Sequence, residues 1–181
     1  MLLDKTNAGE RLADELVDRG IDPDVVLGIL GGGLPVADVV SDRLNVPLEV
    51  TATKQITPPG DPGYEVGAVT ADGIAWYESE RLQQIDSMRE DLQPEEERAK
   101  KQAARKRDAY LDSQSPPELK DKRVLIVDDR AATGPAIRAC IESANAAGAT
   151  RIVVAFPVAP LMSAQASAMP ADEVISLETL D

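Results

Sequence analysis

Val124-Leu-Ile-Val-Asp-Asp-Arg-Ala-Ala-Thr-Gly-Pro-Ala-Ile137 decides how this chain is read. Arg123–Val127 is apolar almost throughout, as a strand covered on both faces should be. It ends in two acids, Asp128 and Asp129, and a loop of small residues follows before a helix expected over Pro135–Ala147, closed by Gly148. Ala132 to Ala136 can turn successive backbone N–H groups toward a phosphate, to which a helix N-terminus adds partial positive charge. The adjacent carboxylates can accept hydrogen bonds from vicinal sugar hydroxyls. A molecule that carries both a ribose diol and a phosphate fits this stretch.

The same βα alternation appears on either side. Thr6–Arg19 has a helical apolar face of Leu12, Leu16 and Val17. Asp24–Leu30 is a second buried strand, Gly31-Gly32-Gly33 a turn and Pro35–Leu44 a helix. Pro47–Thr53 reads as one strand, and Arg151–Phe156 and Glu173–Leu177 complete a parallel sheet. Strands that alternate with helices give an α/β layered domain with helices on both faces of the sheet. Ligands in such sheets bind beyond the carboxyl ends of the strands, where Gly31–Gly33, Lys54–Gly63 and Asp128–Ala136 fall.

The middle of the chain differs. Glu65–Thr70 and Ile74–Tyr77 flank Ala71-Asp72-Gly73, a hairpin signature. Leu82, Ile85, Met88 and Leu92 carry helical spacing over Ser79–Leu92, and Pro94 suits the first turn of another helix. Arg98–Arg107 then holds six bases and no acid, behind Glu95–Glu97, in the order the helix macrodipole favours. A solvated helix face accounts for this run. Ser113–Pro117 reads as a loop. Residues 1–181 are expected to form one domain, with a hairpin and helical insertion at about 65–117.

The 181 residues suffice for a sizeable core without disulfides. Cys140 is the only cysteine and there is no histidine, which excludes an internal disulfide, His-based triads and His metal sites. The longest apolar runs are four to six residues, against the ~20 of a membrane-spanning helix. The first residues show no signal peptide, so a cytoplasmic protein is expected. Thirty-two acids against 19 bases give a net charge of −13. Such a chain is no general binder of nucleic acid or anionic membranes. The excess of acid resembles the surface of proteins from salt-loving organisms, and an ordinary acidic protein fits as well.

At Asp128–Ala136 the sequence resembles the type I phosphoribosyltransferases. Further landmarks follow the same resemblance in chain order: Gly32–Ala37, Lys54–Pro62, Val66–Val69, Ala155–Pro160 and Leu177–Thr179. The resemblance implies that Asp128 and Asp129 hold the ribose hydroxyls of phosphoribosyl pyrophosphate (PRPP). It implies that Ala132, Thr133, Gly134, Pro135 and Ala136 form the 5′-phosphate loop. Gly31, Gly32 and Gly33 correspond to the pyrophosphate loop, with Lys54 as its favoured side-chain cation. It further implies Mg²⁺ carried by PRPP near Asp128 and Asp129, a small nitrogenous acceptor, and a homodimer. Two departures stand out: Gly31 replaces an arginine common in relatives, and Ala136 lacks the hydroxyl that usually ends the phosphate loop. They keep open an alternative in which the chain binds PRPP or a nucleotide as a regulator without catalysis. Arg105 and Arg107 are candidates for a lid, and Trp76 or Tyr77 for stacking on a base. A two-component receiver would need a later phospho-acceptor Asp and a Lys, but no Asp occurs between Arg130 and Ala171 and no Lys after Lys122. The glycine triplet fails the dinucleotide fingerprint at Val36, and there is no P-loop motif.

Overall fold

The computed structural model describes residues 4–111, 116–129, 134–159 and 169–179. In chain order its elements are α1 (Lys5–Asp18), β1 (Val25–Ile29), α2 (Leu34–Leu44), β2 (Leu48–Thr51), β3 (Thr53–Ile56), β4 (Gly67–Thr70), β5 (Ala75–Tyr77) and α3 (Ser79–Gln84). After a 3₁₀ turn at Arg89–Leu92 come α4 (Gln93–Leu111), β6 (Arg123–Val127), α5 (Gly134–Ala146), β7 (Arg151–Ala159) and β8 (Glu173–Thr179). The chain divides into two compact units. One comprises Met1–Val50, Pro117–Gly134 and Ala144–Asp181, the other Thr51–Pro116 and Pro135–Ser143.

The first unit is built on a five-stranded sheet in the order β2-β1-β6-β7-β8. β1 pairs with β6, β6 with β7 and β7 with β8, all in parallel. Alternate residues Val26, Leu125, Val127, Val153, Ala155 and Ile175 join Leu12, Leu16, Val36 and Val40 of α1 and α2 in one core. Their neighbours Val25, Leu27, Val124, Ile126, Ile152, Val154 and Phe156 are buried too. The strands are therefore apolar on both faces, which is why their sequences run nearly unbroken. Asp4 caps α1 by accepting the Thr6 N–H at 3.3 Å. Arg123, at the start of β6, ties that strand to β1: its backbone N–H and guanidinium both donate to the Asp24 carboxylate at 2.8 Å.

This strand order creates the site. After β1 the chain moves outward to β2; β6 then returns to the other side of β1 and the sheet grows away through β7 and β8. Connections leaving β1 and β6 diverge, so a crevice opens between the carboxyl ends of these two strands.

The second unit holds the antiparallel sheet β3-β4-β5, with Lys54 opposite Val69 and Val69 opposite Ala75. Ile56, Val66 and Val69 pack with Leu92 and Ala99, and Tyr64, Tyr77, Leu82 and Ile85 close around them. Its segment of α5 is fixed by the Ser143 hydroxyl, which donates to the Asp72 carboxylate at 2.8 Å, and by the Arg138 guanidinium over the Trp76 ring at 4.9 Å. No described helix is long and apolar enough to cross a membrane.

Two expected elements differ. Pro47–Thr53 is not one strand. Ala52, fully buried between β2 and β3, accepts the Ala71 N–H at 2.9 Å, and the two strands belong to different sheets. The helix expected over Ser79–Leu92 stops at Gln84. Asp86 takes a left-handed φ of +51°, and the N–H groups of Asp86 and Ser87 close back on Gln83 and Leu82. That double closure terminates a helix. Met88, counted as part of the apolar face, is 67% exposed. The expected loop at Ser113–Pro117 lies outside the described residues at 113–115.

Candidate active site

Two loops meet at the carboxyl ends of β1 and β6. β1 runs into Gly31-Gly32-Gly33, and α2 begins at Leu34 with Pro35 in its first turn. β6 ends in Asp128 and Asp129. The β1–β6 register sets Gly28 opposite Val127, so both turns leave the sheet at the same level. The approach is tight. A Cβ added to Gly32 would overlap the Asp129 carboxylate, lying 2.9 Å from its Cγ. One added to Gly33 would lie 2.8 Å from the Asp128 Cα. Gly33 is thus required by the Asp128 backbone packed against it, independently of any ligand, whereas at Gly32 the obstacles are the Asp129 carboxylate and the Lys5 amine, both side-chain groups.

Asp128 is partly buried, and its carboxylate accepts the Asp129 N–H at 2.9 Å. Burial pushes its carboxyl up to about 7, and the neighbouring Asp129 charge adds to the rise against the pull of that hydrogen bond and of Lys5. The group is short of positive charge near neutral pH.

Lys5 brings some of that charge. From the first turn of α1 its Nζ donates to the Gly32 carbonyl at 3.1 Å and stands 3.8 Å from the Asp129 Oδ2. The side chain is 48% exposed. Its amine therefore bridges the two loops at the mouth of the crevice. Sequence reasoning missed Lys5 because more than a hundred residues separate it from Asp129. The faint signal was a cation at the end of a helix where the macrodipole disfavours one, with no acid in that turn.

Gly31 has a φ of +123°, and nothing lies within 4 Å of a Cβ built there. The obstacle to the arginine of its relatives is thus the backbone rather than crowding, since that region is essentially reserved to glycine. Of the loop expected to hold the 5′-phosphate, Ala132 and Thr133 lie outside the described residues. Gly134, Pro135 and Ala136 open α5, and the space around Gly134 is clear. Lys54 lies on β3 in the second unit. Among the candidate stacking residues, Trp76 is covered by Arg138, while Tyr77 donates to Glu96 at 2.8 Å beneath the Arg89 guanidinium. Arg107, a candidate lid residue, is 5% exposed, whereas Arg105 is exposed. Cys140 is buried on α5.

Among the described residues no three acidic, histidine or cysteine side chains gather around a possible metal. Two adjacent carboxylates nevertheless suit Mg²⁺, which keeps several waters and takes other oxygens from a bound phosphate compound rather than from an all-protein cage. The upward-shifted Asp128 is the kind of group such a cation would relieve. The residues present fit the metal.

The family model for the phosphoribosyl transferase domain matches residues 1–181. Rv0571c of Mycobacterium tuberculosis, provisionally named a phosphoribosyl transferase, is 30% identical over 176 residues, which cover 97% of this chain and 40% of that protein. The chain thus spans about two fifths of the length of the curated relatives it matches. The crystal structure of TT1426 from Thermus thermophilus superposes with a TM-score of 0.80 at 30% identity, covering 98% of this chain and 84% of that one. The purine phosphoribosyltransferase of Pyrococcus horikoshii, at 22% identity, shares the fold with a TM-score of 0.57 over 99% of this chain and 89% of its own. A parallel sheet whose order reverses between a glycine turn and an acid pair, matched end to end by that family model, establishes that the chain belongs to the phosphoribosyl transferase domain family.

Proposed function

We propose that the chain transfers the 5-phosphoribosyl group of PRPP to a small nitrogenous acceptor and releases pyrophosphate. The observation that carries this reading is the packing of Asp128 and Asp129 against Gly32 and Gly33 at the switch point of the sheet, with the Lys5 amine between the loops. Residues 1–181 work as one transferase domain, in which about 65–117 is an insertion.

In the reaction a nitrogen of the acceptor forms a bond to C1 of the ribose as the C1–O bond to pyrophosphate breaks. The electron pair leaves on the pyrophosphate and the nitrogen's proton passes to solvent. The protein's task is to hold charge in place as it develops. Asp128 and Asp129 accept hydrogen bonds from the ribose 2′- and 3′-hydroxyls, which fixes the ring. The backbone of Gly31–Gly33, with room for no side chain at Gly32 and Gly33, lies along the pyrophosphate. Lys5 offers a cation to the leaving group in place of the arginine that Gly31 cannot carry. Ala132–Ala136 receive the 5′-phosphate, through backbone N–H groups more than hydroxyls given Ala136. Mg²⁺ held near Asp128 and Asp129 would offset the negative charge of the diphosphate.

The test is a pyrophosphate-release screen with PRPP and Mg²⁺ across purines, pyrimidines and other nitrogen nucleophiles, at low and high salt. Release that depends on an added acceptor is the expected result. PRPP binding without release for every acceptor would instead favour a regulator that keeps the site and lacks the chemistry.

A further inference from the structure

Arg98, Lys101 and Arg105 form one row on the exposed face of α4, at the i, i+3 and i+7 spacing that stacks helical residues. The opposite face, with Glu96, Ala99, Ala103 and Arg107, is the buried one. The helical rise makes the row about 10 Å long. At its Arg98 end it opens on a cleft of about 490 Å³ walled by the loop 57–62. Lys54 adds a fourth exposed cation there, and Glu95 lines the cleft too. All of these residues belong to the second unit.

Among the described residues none of these four cations forms an ion pair. That is unusual in this chain. Arg19, Arg43, Arg81, Arg89, Arg123 and Arg151 each meet a carboxylate, as expected where 32 acids surround 19 bases. Glu97 and Asp108 lie within helical reach of Lys101 and Arg105, yet pair with neither. The macrodipole does not account for the row either, since it acts on the last turn and the last turn of α4 holds no base. Like charges at i, i+3 and i, i+4 repel, so the row weakens the helix that carries it. A complementary anion along the row would remove that repulsion.

We propose that the row is a docking face for an acidic peptide segment of a partner protein, whose Asp or Glu carboxylates pair with Arg98, Lys101 and Arg105 and reach Lys54 in the cleft. The face is independent of phosphoribosyl transfer. Charge selects such a segment over larger polyanions. The chain as a whole carries −13, so repulsion grows with the charge a ligand brings. A few carboxylates meet mainly the row. A nucleic acid strand, charged along its whole length, or a second copy of the chain, itself at −13, meets the acidic remainder as well. Single strands are also held by aromatic stacking. No aromatic lines the cleft, and Tyr110, the aromatic of α4, falls on the Ala103–Arg107 side of the helix.

Fluorescence anisotropy on the intact chain tests this with two labelled peptides of equal length, one with a run of glutamates and one with glutamines in their place, and with a labelled oligouridylate. In low salt the glutamate peptide is expected to bind about tenfold more tightly than the other two probes. Most of that advantage should disappear at about 0.5 M sodium chloride, where exposed charges are screened. Lys101→Gln combined with Arg105→Gln should weaken glutamate-peptide binding about tenfold. Lys120→Gln combined with Lys122→Gln removes the same charge from the first unit and should change it less than about twofold, which tells a local face from the overall field. Circular dichroism confirms the fold of each variant. Equal binding of the two peptides, or equal effects of the two double variants, would overturn the proposal. Tighter binding of the oligouridylate would overturn it in favour of nucleic acid. Salt-sensitive self-association that the Lys101, Arg105 variant abolishes would overturn it in favour of a second copy.

Discussion

Lys5 occupies the first turn of α1, where a helix disfavours a cation, yet its amine bonds the Gly32 carbonyl and faces Asp129. An exposed ion pair of this kind adds little to stability, so its effect should appear in ligand binding rather than in folding. Lys5→Met is expected to weaken pyrophosphate binding about tenfold, equivalent to ~1.4 kcal/mol, with the melting temperature nearly unchanged and Lys5→Arg restoring much of the affinity. Isothermal titration and thermal melts on the three proteins check this. Asp128 makes a second prediction through its pKa. Its carboxyl is raised to about 7 in the fold against 3.8 in an unfolded chain, so between these values the folded protein holds the extra proton. Its contribution to stability is complete below about pH 4 and is lost as pH rises through about 7. Asp128→Asn, which cannot ionise, should therefore gain stability relative to the parent between pH 5 and 8. Denaturant titrations of both proteins across that range would contradict the account if the difference stayed flat.

At the scale of elements, the glycine turn after β1 divides its demands among three residues. Gly31 needs its φ of +123°, whereas Gly32 and Gly33 need the absence of a Cβ. The two crowded positions should respond differently to alanine. At Gly32 the obstacle is the end of the Asp129 side chain, which can swing aside, so Gly32→Ala should fold but lose ligand affinity as Asp129 and Lys5 are displaced. At Gly33 the obstacle includes the Asp128 Cα, which cannot move without β6, so Gly33→Ala should lose about 1–3 kcal/mol of stability. Melting and pyrophosphate titration on the pair separate these outcomes. The turn and the acid pair were legible in the sequence because each ends an apolar run of strand length, and buried parallel strands permit little else. Lys5 was not, since only the fold sets the start of α1 beside the glycine turn. The break of α3 escaped too. Apolar spacing through Leu82, Ile85 and Met88 was satisfied in the sequence, but the helix stops at Gln84, the chain turns at Asp86 and Met88 is left in solvent.

For the molecule as a whole, the charge of −13 sets the terms on which a polyanion can bind. Under the proposed function the overall field would repel PRPP, so recognition would have to be local, at an amine, backbone N–H groups and a metal that travels with the ligand. The same self-repulsion opposes the compact state, and salt screens it. The melting temperature should accordingly rise with sodium chloride between 0.05 and 1 M, about as far as the Debye length falls below the spacing of surface charges; a melting temperature that fell with salt would point to stabilising ion pairs instead. In the strongly basic stretch Arg98–Arg107, the side chains of Arg98, Lys100, Lys101, Arg105 and Lys106 are exposed and Arg107 is buried. The central claim is that the crevice between β1 and β6 holds PRPP through Asp128 and Asp129. Calorimetry of PRPP with Mg²⁺, on the parent chain and on the Asp128→Asn, Asp129→Asn double variant, tests it most directly. Saturable binding by the parent and its loss in a folded double variant is the predicted result; a parent that fails to bind, or a variant that binds as well, would contradict it.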